Sequence, residues 1–234
     1  MDVLQEGLAR LGMDDPALAK KMDAYIRTLQ AYNAKFNLVN TDGYDDIAVR
    51  HILDSLSGAA VIRTLLEKRI AGGVPRDEIV LADIGSGAGL PGIPLAAAFP
   101  DVPFVLVERM TKRADFLRHC AATLGLQNVS VEENQAERLA QRRFDIAAFR
   151  AFRPLEKKMT KVLLRILKDG GYLAAYKAKR EKIIAEMDAL PAVPAYEIVP
   201  LTVPFLTQCA ADERERNMVV ISCPRQSASA VLSG

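Results

Sequence analysis

Residues 80–94 read V-L-A-D-I-G-S-G-A-G-L-P-G-I-P, and their types and spacing suit the binding of a nucleotide-like cofactor. Val80 to Ile84 is an apolar run, long enough for a buried parallel strand and too short for a helix. It breaks at Gly85, Gly87 and Gly89, alternate glycines that let the chain turn with positive φ and bring its backbone against a ligand. A short helix is predicted from Ile93 to Phe99, with Pro91 and Pro94 tolerable only in or before its first turn. Strand, glycine turn and helix N-terminus together predict a pocket in which backbone N–H groups point at the ligand. Glu108 closes the next apolar run, about 20 residues on, where a carboxylate can accept both hydroxyls of a ribose.

Two cofactor classes fit this stretch. Gly87, Gly89 and Gly92 satisfy G-x-G-x-x-G, a pattern shared with dinucleotide sites. The fuller pattern, Asp83-x-Gly85-x-Gly87-x-Gly89, resembles the first motif of S-adenosylmethionine-dependent methyltransferases, in which the acid lies near the amino-acid end of the cofactor. A dinucleotide needs no acid there, and it needs a regular helix aimed at its pyrophosphate, whereas two prolines make this one stubby. Methyl transfer is the favoured reading. An NAD-dependent oxidoreductase using Gly87, Gly89, Gly92 and Glu108 is the alternative, and an RNA-binding module with a vestigial cofactor site is a third. Titration with S-adenosylhomocysteine and with NADH separates them.

The elements that must position these groups can be read from periodicity. The first 75 residues carry no strand pattern. Helices are expected over residues 3–11, from Pro16 onward with Leu18, Met22, Tyr25, Ile26, Leu29 and Tyr32 as a buried stripe, and over 44–66 with a break near Ser57-Gly58. Asp14 and Asp15 are capping candidates for the second of these. Strands are then predicted at 79–84, 103–108, 128–132, 144–149, 171–177, 195–202 and 217–222, with helices near 93–98, 111–124, 135–141, 154–168 and 180–188. Alternating units predict an α/β fold, a mostly parallel seven-stranded sheet with helices on both faces. No helix separates the last two strands, so they should pair antiparallel, as in the Rossmann-like class I methyltransferase variant of the doubly wound sheet. The expected organisation is a helical extension (1–75), the Rossmann-like domain (76–224) and a polar tail (225–234).

Composition fits a folded chain: half of the 234 residues are apolar. No apolar run approaches the roughly 20 residues that span a bilayer, and the first residues lack the pattern of a signal peptide. Cys120, Cys209 and Cys223 are odd in number and widely spaced, which argues against disulfides and zinc. A cytoplasmic protein is expected. Residues 142–168 hold nine Lys/Arg against two acids, the footprint of a polyanion partner or else a solvated helix face.

A wider resemblance runs through Asn37-Leu38, Arg50-His51-Ile52-Leu53-Asp54-Ser55-Leu56 and Asp83 to Pro94. It continues through Lys112-Arg113, Phe116-Leu117, Phe144-Asp145, Arg150-Ala151, Glu215-Arg216 and Val219-Val220-Ile221. These resemble the glucose-inhibited division protein B family, the 16S rRNA 7-methylguanosine methyltransferases, over almost the whole chain. The resemblance implies S-adenosyl-L-methionine as cofactor, with contacts at Gly85, Leu90, Ala136, Glu137 and Arg150. It also implies 16S ribosomal RNA, or a small-subunit assembly intermediate, as substrate, methylated at N7 of a guanine in the decoding-centre loop; a monomer is expected. N7 carries no proton, so no general base is expected and no metal. Arg153, Lys157, Lys161 and Lys177 are the candidates for RNA phosphate. Phe149 and Asn217 depart from the family pattern; Phe149 could stack on a base or narrow the pocket. His51, flanked by Ile47 and Ile52, reads as an interfacial residue lying with Asp54 where the extension joins the sheet.

Overall fold

The computed structural model describes residues 2–151, 154–192, 195–206 and 214–224. Arg153, Cys209 and the tail 225–234 lie outside them. Seven strands form one sheet: β1 (Leu81–Ile84), β2 (Phe104–Glu108), β3 (Val129–Glu133), β4 (Phe144–Arg150), β5 (Leu167–Lys177), β6 (Tyr196–Pro200) and β7 (Asn217–Ser222). Their order is β3-β2-β1-β4-β5-β7-β6. β1 to β5 run parallel, and β7 is antiparallel to both neighbours, as the missing crossover helix requires. The order reverses between β1 and β4, so the crevice beyond their carboxyl ends is the expected ligand site.

Alternate residues of the inner strands serve two hydrophobic cores. Leu106, Ala148, Ala174 and Val220 face one, with Met22, Tyr25 and Ile26 of α2 (Pro16–Phe36) and Phe116 and Leu117 of α7 (Thr111–Thr123). Val107, Ala147, Phe149, Ala175 and Val219 face the other, beneath α8 (Lys157–Arg165) and α9 (Arg180–Asp188). Phe149 is 1 % exposed in this second core, so it neither stacks on a base nor narrows a pocket.

The amino-terminal residues make α1 (Val3–Arg10), α2, α3 (Tyr44–Ile47), α4 (Asp54–Ser57) and α5 (Ala59–Ala71). Asp2 caps α1 and Asp15 caps α2 through their carboxylates, and Asn37 ends α2 in the left-handed region. The expected break falls at Gly58, which must be glycine because an added Cβ would collide with Tyr176. Between α3 and α4 the chain widens into a π-helical turn, Ala48–Leu53, which periodicity did not reveal.

Two elements differ from expectation. The helix predicted at 135–141 is only a 3-10 turn, Ala136–Arg138. The strand predicted at 171–177 starts at Leu167, because a bulge opposite Phe144–Ile146 carries the chain through Gly170 (φ 70°). α6 (Gly92–Ala98) is short, as the prolines demand.

Candidate active site

The glycine loop leaves β1 braced by two carboxylates. Below it Asp83, fully buried, accepts the Ser86 hydroxyl at 2.6 Å and the Gly92 amide at 3.0 Å. A protein carboxylate thus already occupies the N-terminus of α6, where a phosphate would sit in a dinucleotide site. Above it Glu108, 4 % exposed, accepts the amides of Gly87 and Met110, each at 2.9 Å. The amides of Gly85 and Ser86 both donate to the Val107 carbonyl, and those of Gly89 and Leu90 to Ser86. The expectation that loop N–H groups point at a ligand is therefore corrected. The amides at 85, 86, 87, 89 and 90 are spent within the protein, which leaves the loop few N–H donors for a pyrophosphate.

The glycines divide their work. Gly85 and Gly87 border the crevice, and an added Cβ on Gly87 would meet only the Gly85 carbonyl oxygen, at 3.8 Å. Gly89, at φ 91°, is not among the residues that line the crevice. A Cβ there would lie 2.6 Å from Ile93 and 3.0 Å from the Tyr25 hydroxyl. Gly89 thus packs closely here, and Asp83 supports the loop from beneath through Oδ2, while its Oδ1 is buried with no hydrogen-bond partner.

Two cavities adjoin at Gly85, Arg113 and Ala151. The smaller, about 240 Å³, has Ile84, Val107 and Met159 as apolar walls, with Glu108, Ala136 and Glu137 at its edges. These groups fit an adenosine: flat apolar walls for the base, and a carboxylate whose oxygens keep a second lone pair for the ribose hydroxyls. The larger, about 630 Å³, lies between the loop and the turn at 50–54, with Leu90, His51, Asp54, Arg150 and Arg216 among its walls.

The sequence singled out His51, Asp54 and Arg216 as motif residues without giving them a place in the site. Arg150, at the end of β4, donates to the Arg50 carbonyl at 3.0 Å, to Asp54 Oδ2 at 2.6 Å and to His51 Nδ1 at 3.1 Å. The π-helical turn brings those three acceptors together. Asp54, 4 % exposed, takes Arg216 Nε on its other oxygen at 3.1 Å. A guanidinium only donates, so Nδ1 of His51 accepts and Nε2 carries the ring proton. Burial, and then the charges of Arg150 and Arg50, lower the His51 pKa to about 4, so the ring is neutral at pH 7.

The basic stretch contributes less free charge than its sequence suggests. Arg142 pairs with Asp169, Arg143 with Glu132, Arg150 with Asp54 and Lys168 with Asp145, while Arg165 donates to the carbonyls of Glu137 and Leu139. Lys157, Lys158 and Lys161 remain exposed on α8, the helix whose Met159 walls the smaller cavity. Lys177 borders the larger cavity but is held by both oxygens of Glu186, at 2.7 and 3.0 Å. Asn217, buried, donates to the Ala178 carbonyl and to Glu215, so its departure from the pattern is accommodated at a strand junction.

Residues 18–217 match the rRNA small subunit methyltransferase G (GidB) family. The chain belongs to that family. It is an S-adenosylmethionine-dependent methyltransferase, and the oxidoreductase alternative fails on the same loop whose amides are spent. A ribosomal RNA small subunit methyltransferase G of Treponema denticola is 36% identical, over 95% of this chain and 94% of the relative. Among solved structures, a tRNA (m1A58) methyltransferase from Aquifex aeolicus superposes with a TM-score of 0.52 at 12% identity, over 71% of this chain and 68% of that one. The [4+2]-cyclase SpnF gives 0.56 at 13% identity, over 88% and 95%. Such likeness shows the class I methyltransferase fold alone. A cyclase shares this fold, so the fold by itself does not fix the activity.

Proposed function

We propose that this member of the family methylates N7 of a guanine in 16S ribosomal RNA, in the decoding-centre loop. One observation carries the reading. The cavity beside the cofactor-sized pocket is rich in cations, yet Asp54, the one carboxylate among its described walls, has both oxygens held by arginines, and its histidine is neutral and bonded to Arg150. Such a cavity suits a polyanion whose reacting atom has no proton to lose, and guanine N7 is such an atom.

S-adenosylmethionine, when bound, supplies a methyl group on a positively charged sulfur. Glu108 would hold its ribose, Ala136 and Glu137 would edge its adenine, and Gly85, Gly87 and Leu90 would border its amino-acid end, with Arg150 close by. Asp83 and Gly89 act beneath the loop. The protein's contribution to rate is positioning and the exclusion of water, not acid–base chemistry. Lys157, Lys161, Arg153 and Lys177 would meet RNA phosphates, which fix register without reading sequence. The enzyme would act as a monomer in the cytoplasm, on free 16S RNA or on an assembly intermediate of the small subunit.

The test is methylation of 16S RNA, free and in small-subunit particles, followed by borohydride and aniline cleavage, which breaks a chain at 7-methylguanosine. A single new break in the decoding-centre loop is expected. Methyl incorporation without cleavage would refute N7 as the acceptor. The variant Lys157→Ala/Lys161→Ala should flatten the salt dependence of RNA binding by about one unit of slope per lost contact.

A further inference from the structure

Five cationic side chains, Arg50, Arg113, Arg150, Lys177 and Arg216, line the larger cavity, and Asp54 is the one carboxylate among its described walls. Cations suit the phosphates of an RNA. They do not suit the base that reacts. In transfer to N7 the lone pair of N7 becomes the new N–C bond, the C–S electron pair leaves with sulfur, and the positive charge ends on the purine. A guanidinium facing that purine would oppose the charge developing on it, most strongly in a crevice closed to water.

Two of the guanidiniums are engaged by Asp54. Arg150 comes from the end of β4 and Arg216 from just before β7, and each gives a hydrogen bond to a different oxygen of Asp54. Arg150 is further tied to the Arg50 carbonyl and to His51 Nδ1, a neutral partner that accepts and brings no charge of its own. Arg50 and Lys177 have carboxylate partners outside the cavity walls, Asp46 and Glu186. Asp54 therefore does for Arg150 and Arg216 what Asp46 and Glu186 do for Arg50 and Lys177.

We infer that Asp54 is a positioning residue for methyl transfer, holding Arg150 and Arg216 against the turn at 50–54 and offsetting their charge, so that the acceptor base meets neither guanidinium. This rests on the N7 reading above. It differs from a mere clip between α4 and the strand ends, because a clip that loosens weakens everything together, whereas lost charge balance splits binding from rate.

Asp54→Asn keeps the shape and removes the charge. RNA affinity, measured by fluorescence anisotropy without cofactor, should be unchanged or several-fold tighter, with a salt dependence at least as steep as that of the wild type. The single-turnover rate at saturating RNA and S-adenosylmethionine should fall by about 10²-fold, the scale of a misplaced reacting group. Asp54→Asn/Arg216→Gln removes the surplus charge and should recover part of that rate. Asp54→Glu retains the charge and covers the case in which the Asn variant does not fold: it should keep the wild-type salt slope and lose only a few-fold in rate. The proposal is overturned by a folded Asp54→Asn enzyme as fast as the wild type, or by a folded Asp54→Asn or Asp54→Glu enzyme that loses rate and RNA affinity together. Wild-type transfer to an atom other than N7 would overturn it along with the proposed function; N7 transfer with a fully active Asp54→Asn enzyme would overturn it alone.

Discussion

Asp83, beneath the glycine loop, and His51, in the wall of the larger cavity, shift in opposite directions. Burial pushes the Asp83 carboxyl up to about 6 from its ordinary 3.8, with hydrogen bonds from Ser86 and Gly92 pulling the other way. Burial, then Arg150 and Arg50, lower the His51 ring to about 4 from 6.5. Between about pH 4 and pH 6 the native state keeps a proton on Asp83 that the unfolded state has lost, so Asp83 makes stability fall as pH rises. Over about pH 4 to 6.5 the unfolded state protonates His51 while the native state does not, so His51 makes stability rise. Each contribution amounts to at most about 3–3.5 kcal/mol, from 1.36 kcal/mol per pH unit, and in the wild type they oppose each other. Relative to wild type, Asp83→Asn should gain stability from pH 4 to 6.5, and His51→Gln should lose it over the same range. Urea denaturation at stepped pH reads both, and slopes of the same sign in the two variants would contradict this assignment. Methyl transfer itself should be flat above about pH 7, since the imidazole stays neutral there and no proton leaves N7.

At the scale of elements, the amino-terminal helices are part of the site. The Tyr25 hydroxyl, on α2, donates to the buried carbonyl of Ala88 in the glycine loop. Gly89 lets that hydroxyl approach, since a Cβ there would press on it. Tyr25→Phe leaves the Ala88 carbonyl buried without its partner, at a cost of about 1–3 kcal/mol. S-adenosylhomocysteine binding should weaken along with the melting temperature, because the loop that borders both cavities loses its rear support. A melting shift with unchanged affinity by calorimetry would confine Tyr25 to the core. The π-helical turn acts on the other side of the crevice: its wider backbone presents the Arg50 carbonyl, His51 and Asp54 to a single guanidinium. Tyr176, donating to the Ser55 carbonyl at 2.6 Å, fixes the end of that turn to β5.

At the scale of the whole molecule, stability and chemistry sit at opposite ends of β4. Arg150 closes the strand at the crevice. Asp145, near its start and fully buried, accepts from Arg69 at 2.6 Å, Lys168 at 2.8 Å and the Val80 amide at 2.9 Å. That knot joins α5, β5 and the entry to β1 around one carboxylate. Asp145→Ala leaves two cations without their shared partner and should cost about 3–5 kcal/mol, as broken buried pairs do. Cofactor affinity of the folded fraction should not change, because the loss is at the end of the sheet away from the crevice. A denaturant melt with parallel calorimetry separates the two effects.

The sequence by itself determined what depends on contiguous residues. Strand and helix periods, the terminal antiparallel pair, the glycine loop after β1 and the carboxylate ending β2 were all legible, since each is a local pattern. The family was legible too, from motifs spread along nearly the whole chain. Only the tertiary structure decided how groups far apart in sequence spend their hydrogen bonds and charges. Asp54 meets Arg150 across 96 residues and Arg216 across 162, a meeting set by the order β4-β5-β7. The same closure turned Asp83 under the loop, spent the amides that a linear reading had left for a ligand, and neutralised much of the basic stretch with acids from β3, β4, β5 and α4. Residue type and spacing state which groups could bind; burial and partner geometry, which follow from strand order, state which remain free to do so.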